Sequence, residues 1–232
     1  NTEFGIRLRF AYLERFLEGT FLRSSLGSPY PISEVRYTRG VSNVLKSNYN
    51  YHKVSVSVSD YQKIGSIGEL YYNVYAGRIY GNLPFPLLEI HPGNEIFYYN
   101  KYAFNLMNRF EYISDRYAGI NLEHNIGNGM FRWFLPTRKL KFRQFWTAKT
   151  LWGNLSEDNK KMNFVDQYYD PALMNGWQPF QTLKDKTYME LGTGVDNIFR
   201  VFRIDFIWRV LPTGPVAYQK RFGIFGSFRL QF

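Results

Sequence analysis

FRIDFIWRV, residues 202–210, sets Phe202, Ile204, Phe206, Trp208 and Val210 at every second position, with Arg203, Asp205, Ile207 and Arg209 between them. A period of two puts these two sets on opposite faces of a strand. Before it, a segment ending in ELGTGVDNIF is joined by a tight turn at residues 197–201. After it, RFGIFGSFRLQF places Phe222, Ile224, Phe228, Leu230 and Phe232 on one side, and Arg221, Gly223, Phe225, Ser227, Arg229 and Gln231 on the other. The start of the chain reads the same way. Phe4, Ile6, Leu8, Phe10 and Tyr12 alternate with polar or small residues that include Arg7 and Arg9, and Val54, Val56 and Val58 alternate with Lys53 and serines. Weaker alternation marks 33–39, 69–80, 116–125, 144–153 and 188–199. The expectation is about nine strands in one domain over residues 1–232.

The connections differ in length. Residues 154–186 form a long polar loop with Glu157, Asp158 and Asp166, and residues 81–100 form a second long connection holding Pro84, Pro86, Pro92 and Gly93. The basic run RKLKFR at 138–143 suggests a turn with a little helix. Nine strands close awkwardly, because single-chain bacterial barrels use even numbers. Either a strand lies at 102–111 or strands precede Asn1, and the second is favoured.

Composition narrows the class. The 232 residues hold 29 Lys+Arg against 19 Asp+Glu, a formal charge of +10, with 19% aromatics and no cysteine. Disordered chains are poor in aromatics, so disorder is excluded. The missing cysteines remove disulfides, thiolate zinc sites and cysteine nucleophiles together. No stretch offers the roughly 20 apolar residues of a membrane-crossing helix, and NTEFGIRLRF has no secretory-signal pattern. It starts inside a regular alternation, as a mature form or a piece of something longer would.

Alternation alone does not say which face meets what. A soluble sandwich or small barrel turns its apolar face inward, and a membrane barrel turns it outward. Three features favour the membrane: strands of about nine to eleven residues, long enough to cross a tilted bilayer; unlike charges on the polar faces, with Glu190 and Asp196 near Arg203, Asp205 and Arg209; and aromatics near strand ends, such as Tyr12, Tyr80, Trp152 and Phe232. The lumen-facing candidates are therefore Arg7, Arg9, Glu190, Asp196, Arg203, Asp205, Arg209, Arg221 and Arg229.

The C-terminal third, with ELGTGVDNIF, RVFRIDFIWRVL, LPTGPVAY and a last strand ending at Phe232, resembles the BamA-like outer-membrane assembly superfamily. The stretch GRIYGNLPFPLLEIHPGNEIFYYNKYAFNLMNRFEYISDRYAGINLEHN resembles a Bacteroidetes outer-membrane barrel family of undefined function, often associated with carboxypeptidase-regulatory-like domains. The resemblance implies an all-β, antiparallel transmembrane β-barrel, the C-terminal part of a larger barrel of about 16 strands. It implies a place in the bacterial outer membrane and a role in inserting or translocating outer-membrane or surface proteins. In the superfamily a lumen loop carries an Arg-Gly-aromatic motif. Here the corresponding residues are Leu88, Glu89, Ile90, His91, Pro92, Gly93 and Asn94, with no Arg-Gly pair. That departure favours an alternative, a structural or accessory barrel subunit in a larger complex; a soluble β-rich binding domain is the third reading. Phe228, Leu230 and Phe232 resemble the terminal outer-membrane targeting strand, although Gly226 sits one position off the usual place.

Little supports catalysis, so the expectation is no enzyme, no cofactor and no metal. His52, His91 and His124 are far apart in sequence and form no HExxH pair. No GxSxG elbow occurs, and ELGTGVDN stops short of a dinucleotide fingerprint at Asn197. Basic residues are scattered among acids rather than gathered in a stripe, so nucleic acid is not the expected partner. Lipid, and outer-membrane or surface proteins in a complex, are.

Overall fold

A computed structural model describes residues 1–128, 131, 141–165, 180–212 and 221–228. It contains β1 (Glu3–Ala11), β2 (Arg15–Glu18), β3 (Arg23–Gly27), β4 (Ile32–Gly40), β5 (Tyr51–Lys63), β6 (Glu69–Tyr80), β7 (Glu89–Ile90), β8 (Ile113–Ser114), β9 (Arg116–Gly127), β10 (Arg143–Asn154), β11 (Thr187–Ile198), β12 (Phe202–Leu211) and β13 (Phe222–Phe228). A short helix, α1, spans Glu157–Met162. Nine strands form one antiparallel sheet in the order β1-β4-β5-β6-β9-β10-β11-β12-β13. They are the nine segments that the alternation marks. Among the described residues β1 and β13 are the two ends of this order.

No strand forms at 102–111; β7 and β8 are the strands of the whole 81–115 connection. The reason is local. Asparagines compete for the backbone: Asn100 Oδ1 accepts from the Tyr102 amide, and Asn105 Oδ1 accepts from the Asn100 amide at 2.9 Å. Such side-chain bonds offer the chain turns instead of a ladder. Half of the basic run, 138–140, lies outside the described residues; Lys141 lies in a turn and Arg143 begins β10.

Cross-strand pairing aligns the two faces of the sheet. Trp208 faces Leu191, Leu191 faces Ala148, and Ala148 faces Leu122. These residues, with Phe4, Ile6, Leu8 and Phe10 of β1, lie on the outer face, where Phe4 is 61% exposed and Phe228 65%. The opposite register joins Glu190 to Arg209 and Lys149, which are buried on the inner face. Apolar side chains thus look away from the enclosed side, the reverse of a soluble sandwich.

Connection lengths divide the two ends. Residues 64–68 and 199–201 make tight turns at one end, where the β2–β3 arm also lies. The other end carries residues 41–50, 81–115, 155–165 and 180–186. There the long connections pack into an apolar cluster of Tyr51, Ile79, Leu83, Leu88, Ile113, Leu155 and Val165. A second cluster, Phe104, Met107, Tyr112, Leu151, Leu183 and Tyr188, joins the 81–115 insert to the inner wall. No helix among the described residues is long and apolar enough to cross a membrane.

Candidate functional site

The inner face is polar because alternation puts every second residue of each strand there, and 81–115 folds back to cover it. Its entry and exit are tied together by α1. Buried Asn159 accepts from the Leu83 amide at 2.8 Å and donates to the Gly81 carbonyl and to Asp115, both at 3.1 Å. Asn163, just past the helix, donates to the Leu83 carbonyl.

The centre of the insert is held by one cross-strand pair. Lys149 on β10 donates to the carbonyls of Asn100, Lys101 and Ala103 at 3.0, 2.9 and 2.6 Å. Glu190, its register partner on β11, accepts from the amides of Asn105 and Leu106 at 2.9 and 2.7 Å and from the Tyr188 hydroxyl at 2.6 Å. An ammonium and a carboxylate thus grip the carbonyls and amides of one turn. Charge-assisted bonds of this kind are about twice as strong as neutral ones.

Two further ion clusters flank that grip. Arg203 pairs with Asp205 at 2.8 Å and with Glu123 at 3.0 Å, and its guanidinium lies 3.7 Å from the Phe145 ring centroid and 4.6 Å from that of Tyr99. Arg209 pairs with Glu111 of the insert at 2.8 Å and donates to the Tyr112 hydroxyl at 2.9 Å. Each charge is buried, so removing one member leaves its partner uncompensated in a low-dielectric interior. Toward the tight-turn end, Arg143 pairs with Asp196 at 3.0 Å.

Residues 88–94, the candidate lumen loop, are part of the 81–115 insert. Leu88 packs in the apolar cluster, and the Pro92 carbonyl accepts from the Phe104 amide. A Cβ at Gly93 would meet the Met107 carbonyl oxygen at 2.6 Å, so only glycine fits there. The Asn94 side chain donates to Asn105 and to the Tyr98 carbonyl. Buried His91 shares a 3.0 Å hydrogen bond with Ser114, and burial pushes its imidazole down to about 3, which keeps it neutral. Burial also pushes the Glu89 carboxyl up, against a hydrogen bond with Tyr117. Glu89 lines a polar hollow of ≈ 250 Å³ with Glu34, Arg36, Tyr75 and Tyr117.

Of the predicted lumen-facing residues, Glu190, Asp196, Arg203, Asp205 and Arg209 are buried on the polar face of the sheet. Arg7 and Arg9 occupy the polar face of β1, where they are exposed and pair locally with Glu34 and Glu14. Arg221 is likewise exposed just before β13. Arg229, Leu230 and Phe232 lie outside the described residues, and Phe228 sits on the apolar face. Sequence reasoning did not single out Lys149, Glu123, Glu111, Tyr99 or Asn105. Lys149 and Glu123 had a signal, standing at polar positions of alternating segments; the insert residues had none, because the wall residues they bond are far away in sequence, Asn105 and Glu190 by 85 positions and Glu111 and Arg209 by 98. Among the described residues no three His, Asp or Glu side chains are grouped as a metal ion requires.

The chain is similar to a solved structure, BamA from Haemophilus ducreyi lacking POTRA domains 1–3, with a TM-score of 0.51 and 12% identity over 98% of this chain and 42% of that one. It therefore spans about two fifths of that relative's length. At this identity the likeness shows the fold alone, an outer-membrane-type β-barrel. No curated protein matches. A family model described as "Family of unknown function (DUF5686) C-terminal domain" matches residues 2–161. Matched over more than half of its length, the chain belongs to that family.

Proposed function

We propose that this chain is the wall and plug of a bacterial outer-membrane β-barrel of BamA-like type that inserts or translocates outer-membrane or surface proteins, without enzymatic activity. The observation that carries this reading is the inversion of the sheet: Phe4, Ile6, Leu8 and Phe10 exposed outward, Glu190, Arg203 and Arg209 buried inward. In hydrocarbon every backbone amide must pair within the sheet, and apolar side chains face the acyl chains. The charged grip on the insert opposes a simple solute pore, since residues 81–115 fill the space beside β10–β13. By the usual asymmetry of such barrels, the tight-turn end is periplasmic and the capped end faces outward. Lipid is the first partner on this reading, other outer-membrane or surface proteins the second. A Bacteroidetes source and an associated carboxypeptidase-regulatory-like domain are part of the same proposal, resting on the sequence resemblance.

A second reading, an accessory barrel in a larger surface complex, is favoured by the insert: its lumen loop 88–94 has no Arg-Gly pair. Depleting the full-length protein and quantifying the outer-membrane proteome separates the two. Broad loss of barrel proteins supports insertion; an unchanged proteome with loss of one surface complex supports the accessory role. A purified chain that stays monodisperse without detergent, with tryptophans blind to lipid quenchers, overturns both.

A further inference from the structure

Beyond Ala11 and Ile32, the β1–β4 hairpin does not close but runs on as the β2–β3 arm, residues 12–31. Its base is marked by Tyr12 and Tyr30, whose rings lie 5.1 Å apart. Both strands break direction just above it. Leu13 has φ 52° and Gly27 φ 89°, left-handed conformations, and the register shifts between Arg15 and Phe16. For leucine such a φ is costly, so the kink is imposed by the surrounding fold.

Above the kink the two faces of the ribbon differ. One is polar and internally bonded: Glu14 takes Arg9 at 2.7 Å and the Ser25 hydroxyl, Glu18 pairs with Arg23, and the Arg23 guanidinium sits 3.9 Å from the Phe16 ring centroid. The other holds Leu17 and Leu26, with Phe21 and Leu22 at the tip. These four are 61%, 64%, 97% and 72% exposed. An apolar surface of this kind is an interaction site by default.

We propose that the arm is a lipid-seated ribbon, placing Leu17, Phe21, Leu22 and Leu26 in the phospholipid interface beside the tight-turn rim. The inference rests on the membrane reading above and deepens it. Three observations choose lipid over a protein partner. The apolar side follows Phe4, Ile6, Leu8 and Phe10 along the same hairpin, so it continues the outer wall. Tyr12 and Tyr30 stand where interfacial aromatics sit, at the point where the ribbon departs. Exposed Arg15 adjoins Leu17 on β2, where a cation beside an apolar segment meets anionic headgroups. A kink at this level is what lets a ribbon turn from the wall toward the membrane plane.

Residues 1–232 hold no cysteine of their own to compete for a label. The full-length protein, carrying a polarity-sensitive fluorophore on Leu8→Cys, Glu18→Cys, Phe21→Cys or Leu26→Cys, is reconstituted in phosphatidylethanolamine and phosphatidylglycerol vesicles. The expected result is that labels at 8, 21 and 26 lose about half their emission to brominated lipid, with 21 and 26 favouring shallow bromines, while the label at 18 answers to aqueous iodide. If position 8 answers to lipid but 21 and 26 answer only to iodide, the arm is in water; if they are shielded from both quenchers, it is on protein. Either result overturns the proposal and leaves the wall reading intact. If position 8 also answers only to iodide, the membrane reading falls, and this inference with it.

Discussion

Replacing Glu190 by glutamine is expected to loosen the insert while sparing the sheet. Its carboxylate accepts from Asn105 N, Leu106 N and the Tyr188 hydroxyl at 2.9, 2.7 and 2.6 Å, and it faces Lys149 across the register. Glutamine keeps one oxygen, so at least one amide loses its acceptor, and Lys149 loses its opposing charge. A hydrogen bond to a charged group is worth about 1.5–3 kcal/mol, and stranding a buried charge costs about 3–5 kcal/mol. The losses overlap because Lys149 keeps its three carbonyl partners, so about 3 kcal/mol is a fair sum. At 1.4 kcal/mol per decade, that is about a hundredfold faster exchange of the Asn105 and Leu106 amides. Hydrogen exchange read by mass spectrometry in detergent micelles gives the number directly, and trypsin cleavage after Lys101 and Arg109 gives an independent view. Glu34→Gln is the control: its partner Arg7 is exposed, and such pairs contribute at most about 1 kcal/mol. Exchange at 105 and 106 within about threefold of the unaltered protein would refute the grip as the anchor.

Arg203→Met should lower stability by about 3–5 kcal/mol, since buried Glu123 and Asp205 lose their shared guanidinium, and adding Glu123→Gln and Asp205→Asn should recover much of it; urea midpoints of refolded protein test both steps. Tyr98 forms a parallel bridge with Gly226 of β13, with Gly226 N donating to Phe97 O at 3.1 Å and Tyr99 N to Gly226 O at 3.0 Å. Cysteines at 98 and 226 should therefore cross-link under mild oxidant, seen as a mobility shift on gels, and a pair that stays reduced would place the insert elsewhere. His91 is held neutral down to about 3 while an unfolded histidine titrates near 6.5, so across that window the unfolded chain binds more protons. Stability should then fall by roughly 1.4 kcal/mol per pH unit below 6.5. A His91→Asn protein whose urea midpoint keeps the same slope between pH 7 and 5 would remove His91 as the cause.

The nine wall strands were legible because each carries its own evidence: FRIDFIWRV alternates within nine residues, and its outward and inward sets match the exposed and buried positions. Alternation put Glu190, Asp196, Arg203, Asp205 and Arg209 on the polar face that buries them, and Arg7 and Arg9 on the polar face of β1, where they are exposed; it gives the face of a residue and not what stands opposite it. The insert was legible only as a long connection with prolines. Glu111 and Arg209 are 98 positions apart, and Glu190 and Leu106 are 84 apart. Nothing in the local pattern of either member reports such a pairing. Asn159 looked like an ordinary loop residue until the fold set it between Gly81 and Asp115.

Buried ion pairs are weak stabilisers, because desolvation offsets most of their attraction, and apolar residues of similar volume would hold the interior as well. Their use here lies in position. Lys149 can satisfy three donors only where three carbonyls converge, and Glu190 can accept two amides only where the next turn of chain presents them. Leucines at 149 and 190 would keep the insert inside the sheet but would tolerate a slip of one residue along it. The charges do not tolerate that slip, since each would lose bonds in a dry setting where no water replaces them. Arg209 adds a third fixed point, reaching Glu111 from β12 while Lys149 and Glu190 act from β10 and β11. The insert is thus registered against three adjacent strands at once, and any change in the spacing of those strands must be felt at 100–111. In this fold the position of the insert and the curvature of the wall are one variable.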